Sequence, residues 1–372
     1  MSITKRYDGK TEAAQQKVEA LIFETTNRCS TCACPGCYMI ESGRNHGPLQ
    51  QFNLETAVRV FDLVKIHNGG VEVESLDIIG GEPLEPVCWP VTQMIVEECL
   101  QRGIKPWVFS NGVFITNKKA KWLLAREIPV TMKLNIGNPN DSTQLELQAK
   151  MIGKDVTTAK RLIRGLYTAL EVGYAKSGLL FVENLLREGP ELNNMPYVPQ
   201  YYELGLDLGF KPDLELMGNG ESANWKYFEL APKIPTIRWL MRQIEEAHAK
   251  RRLAKPEFLM PHVLGSCPFY DTALYFCADG RIQSCSNNQT ILANFNTDSD
   301  PIGKAIAHPI IQARRTLKQK QMQGPCARCP IWDKCRGGCR ATAESFGSSY
   351  LSYPLCPIQQ EFDNPRAIIA AQ

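Results

Sequence analysis

The sequence predicts an α/β protein, an incomplete parallel (β/α)6 barrel followed by a cysteine-rich C-terminal domain. Three observations predict it. Short apolar runs alternate with helical patterns six times over about 200 residues, the signature of a parallel sheet with crossover helices. Apolar residues make up 44% of a 372-residue chain, enough for a core that needs no disulfide staples. The 14 cysteines are unevenly placed: four lie at Cys29, Cys32, Cys34 and Cys37, eight lie between Cys267 and Cys356, and none falls between Cys99 and Cys267.

The elements follow in order. Residues 20–26 (ALIFETT) are a short apolar run, a buried strand. Asn53 caps a helix whose Leu54, Ala57, Val58, Phe61 and Val64 follow helical spacing, and Gly69-Gly70 stops it. A strand at 75–79, a helix at 91–100 closed by Gly103, a strand at 105–109 and a helix at 117–125 come next. Then come a strand at 130–136, a helix capped by Asp155 and ended by Gly173, and a strand at 179–184. A helix at 197–208 and a strand at 212–217 complete six units. Six units rather than eight make an incomplete barrel. Thr236 opens one more amphipathic helix, whose basic end Lys250-Arg251-Arg252 suits a helix C-terminus. The division is therefore a barrel at 18–220, a helical bridge at 221–254 and a cysteine-rich domain at 255–358. Residues 1–11 and the last ten read as disordered.

Charge and hydropathy exclude several functions. Forty-two basic against 39 acidic residues leave +3, too little to argue for nucleic acid or an acidic membrane. No apolar run approaches the ~18 residues of a membrane helix. The polar stretch Met1 to Glu19 lacks the core of a signal peptide. A cytoplasmic chain keeps its thiols reduced, so grouped cysteines read as metal ligands. Cys88 and Cys99 read as structural, and His46 and His262 as surface or packed residues.

The first cysteine group, ETTNRCSTCACPGCY (residues 24–38), sits on the loop after the first strand, where barrels place their chemistry. Three thiolates from one loop can hold three irons of a 4Fe-4S cluster and leave the fourth open to a ligand. Four cysteines could instead bind zinc, although Cys32-Ala-Cys34 is cramped for a tetrahedral site. Gly80-Gly81-Glu82-Pro83 follows the second strand and Ser110-Asn111-Gly112 the third. Lys133 and Asn135 alternate on the fourth, and Glu183-Asn184 end the fifth.

This constellation resembles the radical S-adenosylmethionine (SAM) enzymes, whose motif is CxxxCxxC followed by an aromatic, over roughly residues 18–220. Here Ser30 stands where the first ligand would fall, and Cys29 comes one residue early, giving Cx4CxxC. The resemblance implies a SAM-binding cluster on Cys29, Cys34 and Cys37, with Cys32 the alternative ligand. It implies SAM contacts from Tyr38, Gly80, Gly81, Glu82, Pro83, Ser110, Asn111, Lys133 and Asn135, with Glu82 meeting the ammonium of SAM.

The second group reads Cys267-x12-Gly280-x4-Cys285, then Cys326-x2-Cys329-x5-Cys335-x3-Cys339, then Cys356. It resembles the seven-cysteine SPASM extension of radical SAM enzymes. That implies two auxiliary 4Fe-4S clusters, three clusters in all. The outer one would use Cys326, Cys329, Cys335 and Cys356. The inner one would use Cys267, Cys285 and Cys339, with Cys277 either a fourth ligand or a packed strand residue. The alternative for Cys326–Cys339 is a zinc knuckle.

By resemblance, the protein is an enzyme that reductively cleaves SAM to a 5′-deoxyadenosyl radical and takes hydrogen from a ribosomally made peptide. The product would be a crosslink, an oxidation or a backbone excision. Only about 20 residues precede the first strand, so a leader-binding domain is not expected within this sequence; a separate small leader-binding protein, or strand addition to an exposed edge of the barrel or bridge, is. An electron donor such as flavodoxin or ferredoxin is implied; nucleic acid and membrane are not. Oxidation of a sulfatase Ser or Cys would use an Asp after the second inner cysteine, where this chain has Ser286-Asn287-Asn288. Small-metabolite chemistry is the other enzymatic alternative. A non-enzymatic iron–sulfur carrier and a zinc-stabilised binding module are alternatives of other classes; a carrier would need no SAM pocket.

Overall fold

Strand β1 (Ala20–Glu24) organises the molecule, since a sheet grows from both of its edges. On one side it pairs in parallel with β2 (Ser75–Ile79), from Ala20↔Ser75 to Glu24↔Ile79. On the other it pairs in parallel with β7 (Ala273–Cys277), from Ala20↔Ala273 to Glu24↔Cys277. The computed structural model describes residues 17–30, 33–41, 43–44, 47–216, 230–256, 267 and 272–358. Among them nine strands form one sheet, in the order β6-β5-β4-β3-β2-β1-β7-β8-β9.

The six-stranded parallel half matches the expected partial barrel. Its remaining strands are β3 (Lys105–Phe109), β4 (Val130–Lys133), β5 (Leu180–Leu186) and β6 (Lys211–Leu216), each parallel to the one before. Crossover helices α1 (Leu54–His67), α2 (Trp89–Gln101), α3 (Asn117–Leu124), α4 (Ser142–Met151), α5 (Val156–Val172) and α6 (Val198–Leu208) cover the outer face. Leu21, Phe23, Leu76, Ile78, Val108, Met132 and Val182 are buried beneath them. The alternate residues face the barrel interior, because side chains switch faces at each strand position. Asn53 caps α1 by accepting from Thr56 N, and Asp155 caps α5 by accepting from Thr158 N.

Two features depart from the sequence reading. Strand β4 stops at Lys133, and α4 was not foreseen. Its buried face includes Gln144 and Gln148, so no apolar stripe marks it, although Asp141 is an ordinary N-cap. The cysteine-rich region also continues the barrel sheet through β7, a pairing absent from the sequence reading. Covering that edge satisfies a row of backbone groups and removes a site of aberrant pairing.

Helix α7 (Ile234–Lys250) lies along α6, joined by Tyr202 Oη and His248 Nε2 at 2.9 Å. Strands β8 (Arg281–Gln283) and β9 (Ile291–Asn294) form antiparallel pairs after β7. Helices α8 (Pro301–Ala307), α9 (Pro309–Arg315) and α10 (Arg340–Ser345) follow. No helix among the described residues is long and apolar enough to cross a membrane.

Candidate functional site

The Cys29 loop is built into the C-terminal ends of β1 to β3. Gly81 N donates to Thr26 O at 2.6 Å and Glu82 N to Arg28 O at 2.7 Å. The two backbones come so close that a Cβ at Gly81 would overlap the Arg28 carbonyl. Gly80 holds φ at +124°, where L side chains are strained. These glycines therefore serve the docking of the cysteine loop. A polar cavity of about 210 Å³, lined by Asn27, Arg28, Cys29, Ser30, Gly47 and Leu49, opens beside Cys29.

Glu82, expected to meet the ammonium of SAM, is held by partners within the protein. It has no exposed surface, and its carboxylate accepts from Ser110 Oγ (2.8 Å), Asn111 N (2.7 Å) and Leu84 N (3.0 Å). Burial pushes its pKa up to about 7, against these hydrogen bonds. Its side chain and that of Ser110 thus tie the ends of β2 and β3 together. Asn135 is likewise turned inward: its Oδ1 accepts from Leu185 N at 2.9 Å. The ends of parallel strands leave backbone groups unpaired, and these side chains satisfy them. Pro83 O is taken by Thr92 Oγ1 at 2.8 Å. Asn111 does reach the cysteines, with Nδ2 3.7 Å from Cys29 Sγ.

Cys34 and Cys37 flank one tight turn, Cys37 N donating to Cys34 O at 3.0 Å. Burial and the neighbouring Cys34 push the Cys37 thiol up to about 11, and Lys133 opposes that. Lys133 points into the barrel and pairs with Glu183 at 3.0 Å. Burial alone would lower its pKa; Glu183, Glu215 and Cys34 together raise it. Burial, with Glu183 beside it, pushes Asp213 up to about 7. Trp107 stands 4.5 Å from Phe181 across the same interior.

Tyr38, expected against SAM, is held from the β7 side. Its hydroxyl is 3.1 Å from that of Tyr275, which donates to Glu24 at 2.6 Å. Arg44 pairs with Glu24 at 2.7 Å and lies over the Tyr38 ring. Sequence reading missed this network, because Glu24, Arg44 and Tyr275 meet only through the β1–β7 pairing. Cys32, His46 and His262 lie outside the described residues, as do residues 1–11 and the last ten. Cys88 precedes α2, its thiol donating to Thr26 Oγ1 at 3.5 Å, and Cys99 is buried within α2.

In the C-terminal region Cys326, Cys329, Cys335 and Cys356 are all buried. Burial, with Cys356 and Cys326 nearby, pushes Cys335 up to about 12. The N–H groups of Gly337 and Gly338 turn toward Cys335, and residues 336–338 all have positive φ (+52°, +84° and +73°). Such consecutive N–H groups form a nest for an anionic sulfur. Asn288 N donates to Cys285 Sγ at 3.2 Å, with Cys339 close enough to raise the Cys285 pKa, after burial and against Arg314. Cys267 packs against Leu317, Met322, Cys326 and Trp332, on the outer set's side.

Cys277 is not brought to Cys285. Tyr275 pairs with Gln283, so the two cysteines sit four strand positions apart along the hairpin, about 13 Å. Cys277 is instead a packed strand residue with Arg44 Nη1 3.7 Å from its sulfur.

A buried ion pair braces the inner cysteines. Arg314 grips Glu344 with Nε at 2.9 Å and Nη2 at 2.5 Å, and reaches Ser284 O beside Cys285. Glu344 also accepts from Asn288 Nδ2 at 2.7 Å. Glu344→Gln is expected to lower the unfolding free energy by about 3 kcal/mol in a denaturant titration, because it strands a buried guanidinium. Burial raises the Glu344 pKa, but Arg314 and its other donors bring it below the ordinary 4.5. That stabilisation is complete above the unfolded pKa and is lost as pH falls through the folded one, so wild type and variant should converge in acid.

No family model matches the chain, and no curated protein is detectably similar in sequence. Solved structures are similar. Streptococcus suis SuiB, crystallised with precursor peptide SuiA, superposes with a TM-score of 0.65 at 14% identity, over 92% of this chain and 76% of SuiB. Native anSMEcpe with bound AdoMet (S-adenosylmethionine) gives 0.63 at 15% identity, over 95% of each chain. The fold is that of radical SAM/SPASM enzymes.

All described cysteines are free thiols. Among the described residues no three His, Cys, Asp or Glu side chains close around a single ion.

Proposed function

We propose that the chain is a radical SAM/SPASM peptide maturase. The carrying observation is the interlock of the Cys29 loop with Gly80–Glu82 and Ser110–Asn111 at the mouth of a parallel barrel. An electron carrier would need no such cradle. Under this reading Cys29, Cys34 and Cys37 would hold a 4Fe-4S cluster, and Asn111 and Lys133 are among the residues that would hold SAM. When bound, the cluster and SAM would supply radical hydrogen-abstraction chemistry toward the substrate. The aromatic wall of Trp107, Phe109 and Phe181 excludes water from that interior, and Lys133 with Glu183 orients polar groups there.

Two auxiliary 4Fe-4S clusters would sit in the 255–358 domain, beyond the 18–220 barrel and the 221–254 bridge. Cys326, Cys329, Cys335 and Cys356 would hold the outer one, and Cys267, Cys285 and Cys339 the inner one. A ribosomally made peptide is the proposed substrate, supported by the precursor peptide bound to SuiB and the Cp18Cys peptide bound to anSMEcpe. A small leader-binding protein and a flavodoxin or ferredoxin are the proposed partners, in the cytoplasm.

The test has two arms. Anaerobically purified protein with dithionite and SAM is expected to yield methionine and 5′-deoxyadenosine. Co-expression with neighbouring short open reading frames is expected to change one peptide's mass. A loss of two hydrogens, about 2 Da, marks a crosslink or oxidation, and a larger loss marks excision. Turnover of a sugar or nucleotide with no peptide changed would replace the peptide reading.

A further inference from the structure

We propose that Glu85 is a positioning residue for the N-terminal cluster, holding the lengthened Cys29–Cys34 loop at its entry. The proposal rests on the radical SAM reading above. Glu85 stands three residues after Glu82, and its carboxylate is buried. Oε1 accepts from Arg28 Nε at 2.8 Å and Oε2 from Ser30 N at 3.2 Å. One carboxylate thus grips both residues that flank Cys29. Ser30 occupies the position where the usual spacing would put the ligand, so the grip falls on the region where the loop is longer.

The mount is rigid. Glu85 O accepts from Cys88 N and Trp89 N, both at 2.8 Å, which fixes it to the start of α2. Arg28 is held twice, since its carbonyl accepts from Glu82 N. The loop's exit is held independently. Ala33 N donates to Ile152 O at 2.8 Å, and Gly153, at φ +62°, packs so closely that a Cβ would overlap the Ala33 carbonyl. Cys29 therefore lies between two anchored points, and the entry anchor is the one that carries charge.

Groups that orient a ligand tune the metal it holds. Losing one typically lowers affinity roughly 10- to 100-fold, and nearby charge moves an iron–sulfur potential. Glu85 brings a negative charge to Cys29 and Arg28 a positive one. Removing each alone should shift the cluster's potential in opposite directions, a readout that a merely structural ion pair would not produce.

The experiment compares full-length wild type with E85A, E85Q and R28A after anaerobic reconstitution. It measures iron, sulfide, the EPR signal of the reduced protein with and without SAM, and the reduction midpoint of the SAM-responsive signal. E85A is expected to fall from about 12 to about 8 irons per chain and to lose the SAM-responsive signal. E85Q, which keeps an acceptor oxygen without the charge, is expected to hold its iron and reduce at a more positive potential. R28A is expected to shift the other way. Wild-type iron and SAM response in E85A, or unshifted midpoints in both E85Q and R28A, would overturn the proposal. E85Q and R28A keep it testable if E85A does not fold. A wild-type chain without a SAM-responsive cluster would overturn the functional reading instead.

Discussion

Replacing Cys29, Cys34 and Cys37 together by alanine is expected to remove about four of about 12 irons per chain and to abolish SAM cleavage. The auxiliary irons should remain, because their cysteines lie on other elements: Cys285 after β8, and Cys326 to Cys356 around α10. The fold should survive as well. The three residues are partly exposed on a loop, and the core beneath them is made by Leu21, Phe23, Leu76 and Ile78. The single variants test the ligand choice. Cys29→Ala should lose cleavage, because Cys29 is the sulfur that Asn111 Nδ2 reaches from the end of β3. If Cys29→Ala kept full cleavage while Cys32→Ala lost it, the cluster would sit one turn further along the loop. Iron analysis with 5′-deoxyadenosine chromatography reads both outcomes.

The parallel half of the fold was legible because its signals are local. Strands such as 75–79 and 105–109 are short apolar runs, and helices carry caps at Asn53 and Asp155. Helix α4 escaped because it buries glutamines, which carry no apolar period. The β1–β7 pairing escaped because it joins residues more than 250 positions apart, and no local pattern encodes such a partner.

The site divides the same way. Cysteine spacing and the Gly-Gly-Glu-Pro run were visible as strings, so the residues were found. Their jobs were not always found. Glu82, expected to meet an ammonium, also ties β2 to β3, a contact that a string does not show. Cys277 fell among cluster cysteines in sequence, but hairpin register carries it away from Cys285. Glu85, Arg314 and Glu344 left no signal, because a buried charge is recognised only by what it meets.

Gly81→Ala is expected to be the most damaging single methyl addition in the barrel mouth. The added Cβ would overlap the carbonyl of Arg28, and the obstacle is backbone, which cannot swing aside as a side-chain tip can. Relief requires the cysteine loop to lift from β2, which breaks the Gly81 N to Thr26 O and Glu82 N to Arg28 O bonds together. Overpacking costs typically 1–3 kcal/mol, and each broken buried hydrogen bond adds about 1 kcal/mol, so a loss of about 3–5 kcal/mol is expected in a denaturant titration. Gly70→Ala is the control. Gly70, unlike Gly81, has positive φ, at +92°, but nothing lies within 4 Å of its would-be Cβ, so only about 1 kcal/mol of backbone strain applies. The two variants should also differ in function. Gly81→Ala displaces Arg28 and with it Cys29, so it should lose SAM cleavage even where the protein remains folded, whereas Gly70→Ala should cleave SAM as the wild type does. Equal stability loss and equal cleavage in the two would mean that the cysteine loop does not depend on its contact with the Gly80–Gly81 backbone.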